Sequence, residues 1–276
     1  MKFGRFEIET INFGYFRLDG GSMFGSVPKN IWSKRIPADD QNRIRLATRC
    51  LVVRDGKRLF LVDVGMGDKW SEKERAIFAI EADEKAKPSF QPEEVTDLVL
   101  THLHFDHAGG VSRLTAEGKP ELIYKHAHVH LQHDNLENAK APNVKERASY
   151  LRPNWEPLQN SNLKLVNGSV EIYPDFWVHQ VDGHTRGQQW IELRSPERSL
   201  IYTTDLIPTS HHLPLPYHMG YDICAEKLLK EKDEFLARAV KQNSIVVFEH
   251  DAEVEAVTVK VDERGHYAVQ ETIALN

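Results

Sequence analysis

The chain has 276 residues, enough for one large domain or two small ones, and its 41% hydrophobic and 28% charged residues are ordinary for a globular protein. Its formal net charge of −6 comes with no basic run, which argues against nucleic acid as a partner. Cys50 and Cys224 lie in unrelated contexts, so there is neither a disulfide framework nor a thiolate metal site, and no apolar run approaches the ~18 residues of a membrane span.

The first segment, "MKFGRFEIETINFGYF", has no apolar signal-peptide core and reads as a strand that ends at Gly20–Gly21. A cytoplasmic protein with no membrane partner is expected, and a homodimer is compatible with the sequence. "IRLATRCLVVRDG" and "KRLFLVDVGMG" flank Asp55–Gly56, a hairpin signal. "SEKERAIFAIE" has helical spacing, with Ser71 placed to cap it. "VTDLVLTHL" is almost continuously apolar and predicts a buried strand. A helix is expected after Gly109–Gly110, then a strand over "ELIYKHAHVHLQ" and a helix over "HDNLENAKA". Pro142, Pro153, Trp155 and Pro157 break the pattern that follows, and residues 133–158 read as a helical insertion lying over a site.

Further strands are "VEIYPDFWVHQVDG", "QQWIELRSPERSLIYTTD" and "SIVVFEHD". "AEKLLKEKDEFLARAVKQ" is an amphipathic helix, and the chain closes in a hairpin turning at Glu263–Arg264–Gly265. Nothing resembles a linker. The expected fold is therefore α+β, one domain over residues 1–276, with two β-sheets packed face to face and helices outside.

Chemistry concentrates in "VLTHLHFDHAGG", which places His102, His104, Asp106 and His107 within six residues. If the strand continues to Leu103, its period of two sends His102 and His104 the same way, and the turn after it aims Asp106 and His107 into the same space. His184 in "VDGHTRGQ", Asp205 in "LIYTTDLIP" and His250 in "IVVFEHD" also follow strands, so all can meet at one rim. Five imidazoles and two carboxylates suit two borderline cations, Zn²⁺ first, with Mn²⁺, Fe or Co²⁺ as alternatives. Any one of the last three residues alone would be more ordinary as a structural residue.

Together, "THLHFDHAGG", "DGHTRG", "TTD" and "FEHD" resemble the signature of the metallo-β-lactamase fold superfamily of hydrolases, over roughly Arg43 to Asp251. The resemblance implies a four-layer αβ/βα sandwich of two mixed sheets, with two metal ions at one edge. It implies that His102, His104 and His184 hold one ion, that Asp106, His107 and His250 hold the other, and that Asp205 bridges them. Asp63 in "LVDVGMG" matches the aspartate that orients a ligating histidine from behind.

Two such cations can share one water and make a hydroxide near neutral pH, which attacks a carbonyl or phosphorus centre; Asp106 is the nearest candidate to carry the proton. "HLHFDHAGG", the loop "LDGGSMFGSVPKNIW" and the insertion look most like the branch of N-acyl homoserine lactonases and methyl-parathion-type hydrolases. A small-molecule substrate is expected, a lactone-like ester first. Phosphotriester or phosphodiester hydrolysis, thioester hydrolysis and, outside enzymes, a metal-dependent binding protein are the alternatives. Met23 and Phe24, with Trp32, offer an apolar substrate wall, and His211, His212, His218 and Tyr221 follow Asp205 closely enough to face it. One departure is plain: the lactonases carry a tyrosine three residues after the bridging aspartate, and here that residue is Pro208.

Overall fold

The computed structural model describes residues 1–84 and 86–275. The strands of the first half are β1 (Lys2–Phe3), β2 (Phe6–Asp19), β3 (Arg43–Asp55), β4 (Arg58–Val62), β5 (Glu81–Ala82), β6 (Asp97–Val99), β7 (Ser112–Leu114), β8 (Pro120–Leu122), β9 (His128–Gln132) and β10 (Asn162–Val166). Those of the second half are β11 (Val170–Tyr173), β12 (Phe176–Val181), β13 (Gln188–Arg194), β14 (Ser199–Tyr202), β15 (Ile245–Val247), β16 (Ala256–Val261) and β17 (Tyr267–Ile273). The helices are α1 (Gly20–Phe24), α2 (Lys29–Trp32), α3 (Glu72–Phe78), α4 (Phe105–Ala108), α5 (His133–Lys140), α6 (Arg152–Trp155) and α7 (Ala225–Lys241).

One mixed sheet runs β1-β2-β3-β4-β6-β9-β10, with β5 beside β2. Its early strands are antiparallel, and β4, β6, β9 and β10 run parallel. The second sheet runs β11 to β17 in order, antiparallel except where β14 meets β15. The β3–β4 hairpin turns on two residues, and Gly56 takes the φ of +58° that such a turn requires.

Alternation along the strands builds the layers. Phe6, Ile8, Leu51, Val53, Phe60 and Val62 of the first sheet interdigitate with Phe176, Val178, Ile191, Leu193, Leu200 and Val247 of the second. The opposite face of the first sheet, including Leu59, Leu61, Leu98 and Val129, is covered by Leu136 and Ala139 of α5 and Trp155 of α6. The outer face of the second, including Ile201, Val246 and Val257, is covered by Leu228, Phe235 and Leu236 of α7. The result is helix, sheet, sheet, helix: the four-layer αβ/βα sandwich.

Three local expectations need correcting. β6 is only three residues long, so His102 and His104 lie beyond it and are not strand residues. No α-helix follows Gly109–Gly110; the helix is α4, before them, the glycines themselves open a 3₁₀ turn over Gly109–Val111, and β7 comes next. The glycines are needed for close approach: a Cβ on Gly109 would lie 2.1 Å from the Met66 carbonyl oxygen, and one on Gly110 2.2 Å from that of Val64. The segment "ELIYKHAHVHLQ" divides into β8 and β9. Ser71 caps α3 as expected, in a reciprocal capping box with Glu74.

Candidate metal centre

Six segments leave their strands or turns at one rim. Asp63 follows β4, His102 and His104 follow β6, and α4 carries Asp106 and His107. His184 follows β12, Asp205 follows β14 and His250 follows β15. Because β4 and β6 run parallel, as do β14 and β15, the C-terminal ends within each pair share an edge.

The donors converge in two buried groups: His102, His104, His184 and Asp205, and then Asp106, His107, Asp205 and His250. Asp205 belongs to both. Its Oδ2 lies 3.1 Å from His184 Nε2, 3.2 Å from His107 Nε2 and 3.6 Å from His102 Nε2. Asp106 Oδ2 is 3.7 Å from His250 Nε2. All seven residues expected at the centre are thus brought together.

The arrangement fits cations better than it fits its own hydrogen bonds. His107 Nε2 faces His250 Nε2 at 3.3 Å, and His184 Nε2 faces His104 Nδ1 at 3.2 Å. With His250 Nδ1 turned to the Ala47 carbonyl and His107 Nδ1 to Asp63, the inner nitrogens of that pair meet as two lone pairs unless a proton or a cation lies between them. His102 Nε2 is buried with no hydrogen-bond partner, and Asp205 Oδ1, although 3.1 Å from His250 Nε2, also makes no hydrogen bond. Imidazole nitrogen and carboxylate oxygen at this spacing are zinc-type donors.

The field at the centre asks for positive charge. Burial alone would lower the His184 pKa, but Asp205 and Asp222 outweigh it and hold the ring at about 10. His250 is held at about 9 against its burial by Asp205 and Glu249. His102 is pushed well below the usual imidazole range by burial and its neighbouring rings.

Behind the donors, the outward ring nitrogens are tied down. His107 Nδ1 lies 3.1 Å from Asp63 Oδ2 and 3.0 Å from Glu249 Oε2. His184 Nδ1 is 2.9 Å from Asp222 Oδ1, His250 Nδ1 is 2.8 Å from the Ala47 carbonyl oxygen, and His102 Nδ1 is 3.2 Å from Thr101 Oγ1. Asp63 is fully buried at a φ of +58° and accepts from the Thr101 amide at 2.8 Å, beside His102. Thr204 also sits at positive φ, +52°, and aims Asp205 inward. With its amide oxygen turned toward that turn, Gln188 accepts from the amides of Asp205 at 3.0 Å and Leu206 at 3.2 Å. Glu249, Asp222 and Gln188 were missed in the sequence. Glu249 lies inside the quoted "FEHD" and Gln188 ends the quoted "VDGHTRGQ", whereas Asp222 stands in no motif.

A cavity of about 260 Å³ opens on the donors. Its walls are Leu18, Met23, Leu46, Phe78, Phe105, Met219 and Tyr221, with Lys145, Glu146, Ala148 and Ser149 from the insertion. Met23 and Tyr221 therefore face it. Phe24 and His212 do not, and their assignment to the substrate wall is corrected: Phe24 is fully buried, stacked between Trp32 and His212 at centroid distances of 5.6 and 4.5 Å. His212 Nε2 donates to the Met23 carbonyl at 2.8 Å, and its Nδ1 accepts from Thr209 Oγ1 at 2.7 Å. Those two rings hold up the wall from behind. Leu18, Leu46, Phe78 and Phe105 gave no sign in the sequence, because an apolar residue at a cavity mouth looks like a core residue.

A paired imidazole–carboxylate centre at the sheet edge of a four-layer sandwich defines a metal-dependent hydrolase. Residues 43–250 match the family described as the metallo-beta-lactamase superfamily, and the chain belongs to that superfamily. It is 24% identical to an N-acyl homoserine lactonase of Bacillus cereus over 232 residues, 78% of this chain and 85% of that one. A probable metal-dependent hydrolase from Staphylococcus aureus superposes with a TM-score of 0.87 at 28% identity, covering 99% of this chain and 100% of the other. AidC, a dizinc quorum-quenching lactonase, superposes with a TM-score of 0.79 over 100% of this chain and 97% of its own, but at 20% identity that likeness is one of fold. Among the described residues, no helix is long and apolar enough to cross a membrane.

Proposed function

We propose that this chain is a dinuclear hydrolase of a small, largely uncharged carboxylic ester, lactone-like in shape. In this reading His102, His104 and His184 hold one divalent cation, Asp106, His107 and His250 hold the other, and Asp205 serves both. Zinc is the ion these donors suit best. Bound there, the cations supply Lewis-acid polarisation of a carbonyl and a water acidified to near neutrality. The residues do the rest. Asp106 lies at the cavity floor and is placed to take and return a proton. Tyr221, whose ring lines the cavity, is the phenol available to hydrogen-bond a substrate oxygen, since Pro208 occupies the position where the lactonases carry theirs.

The observation that carries this reading is the doubled donor set, shared through Asp205, at the floor of a mostly apolar cavity of about 260 Å³. That volume admits a compact acyl ester and excludes a polymer. The 24% identity to the Bacillus lactonase supports the same class of substrate. The test is a hydrolysis screen of the zinc-loaded protein against lactones, aryl esters, phosphotriesters and thioesters. The expected result is a kcat/KM for lactones or aryl esters at least tenfold above that for the others. A preference for phosphotriesters or thioesters would overturn it.

A further inference from the structure

We propose that Glu146 is a positioning residue for His104, and that through it the insertion over the cavity is coupled to one of the two ion positions and not to the other. This rests on the reading that His102, His104 and His184 hold an ion.

Four of the five imidazoles at the centre have their outward nitrogen held by a partner within 3.2 Å. His104 is the exception. It turns Nδ1 inward toward His184, and its Nε2 is buried with no hydrogen-bond partner. The polar atom facing that nitrogen is Glu146 Oε2, at 3.8 Å. This exceeds a hydrogen bond, but it is within the range that a small side-chain rotation closes.

Glu146 is only 4% exposed, so its carboxylate is buried and needs partners. It has them, and they point to the same loops. Thr185 Oγ1, next to His184, donates to Oε2 at 2.7 Å; Asn138 Nδ2 and Asn143 Nδ2 donate to Oε1 at 2.9 and 2.8 Å. These bonds fix the carboxylate in front of His104. A second residue of the insertion, Asn135, accepts from the Leu103 amide at 2.9 Å, between His102 and His104.

The insertion thus grips both loops that carry the first donor set. Among the described residues, none of its hydrogen bonds or ion pairs reaches Asp106, His107 or His250. His107 leans instead on Asp63 and Glu249, and His250 on the Ala47 carbonyl, none of them in the insertion. The same stretch of insertion lines the cavity with Lys145, Ala148 and Ser149. An ion at the first position and an ordered cavity wall therefore favour one another, and such coupling is reciprocal.

The test is a zinc titration against a competing chelator, without substrate, on wild type, Glu146→Gln and Glu146→Ala. It is joined to trypsin cleavage at Lys145 and Arg147 with and without zinc. The wild type should bind two ions. Both Glu146 variants should weaken one of them by roughly 10–100-fold and leave the other unchanged. Zinc should slow cleavage of the wild type several-fold and leave the rate in Glu146→Ala unchanged. A wild type that binds fewer than two ions would overturn the ion reading itself. Two ions in the wild type, with affinities in the near-isosteric Glu146→Gln and in Glu146→Ala both within twofold of it, would overturn the role of Glu146 alone. So would cleavage indifferent to zinc in the wild type.

Discussion

The buried carboxylate of Asp63 stands 3.1 Å from His107 Nδ1 while its other oxygen accepts from the Thr101 amide, so one side chain fixes both a ring of the second donor set and the backbone beside His102 of the first. It can do so because Asp63 takes a positive φ just where β4 ends, turning its side chain back across the exit of β6. Asp63→Ala should lower metal affinity or activity by roughly 10–100-fold. Chelator competition on the purified variant measures this, and an affinity within twofold of wild type would count against it.

The cavity wall separates into residues that touch substrate and residues that brace them. Met23→Ala should raise KM for a small apolar ester by roughly tenfold with two ions still bound. Phe24→Ala should instead cost about 3–5 kcal/mol of stability, because the stack with Trp32 and His212 loses its middle ring. Paired kinetics and urea denaturation distinguish the two. Equal effects on KM from both variants would contradict the division.

A third expectation concerns acid stability, away from the centre. Glu192 is fully buried on β13, with His179 Nε2 at 2.9 Å, Arg194 Nη2 at 2.9 Å, Arg238 Nη2 at 2.5 Å and Ser199 Oγ at 2.9 Å. Burial would raise its pKa, but these partners outweigh it and bring it from 4.5 to about 2. The folded pKa is depressed, so the stabilisation is present above about 4.5 and is lost as pH falls toward 2. Glu192→Gln should cost on the order of 2–3 kcal/mol at pH 7 and flatten the decline in stability between those values. Urea midpoints measured across this range provide the check, and parallel curves for the two proteins would sink it.

Much of this was legible in the sequence, for reasons that can be located. Strand identity in β2 follows from its β-branched and aromatic residues, β3 and β4 from the Asp55–Gly56 hairpin signal between them, and α7 from a sustained 3.6-residue period. The seven donors stood out because four of them crowd into His102–His107 and the other three stand within a few residues of the end of an apolar strand. What stayed hidden depends on distant contacts. Gly109 and Gly110 read as a helix entry, and only the approach of the Val64–Gly67 backbone shows why they are glycine. Asp222, Gln188 and Glu146 act through His184, Asp205 and His104, partners far along the chain that no local pattern announces. Phe24 and His212 looked like a binding surface because aromatic and imidazole residues near a site suit either role; packing alone put them behind the wall.

The central claim is that Asp205 joins two ion positions in one centre. Its most direct test is the zinc content per chain of the purified protein, by elemental mass spectrometry, for wild type and Asp205→Asn side by side. The account predicts close to two ions in the wild type and the loss of at least one in the variant. Full occupancy retained in Asp205→Asn, or no more than one ion in zinc-loaded wild type, would contradict it.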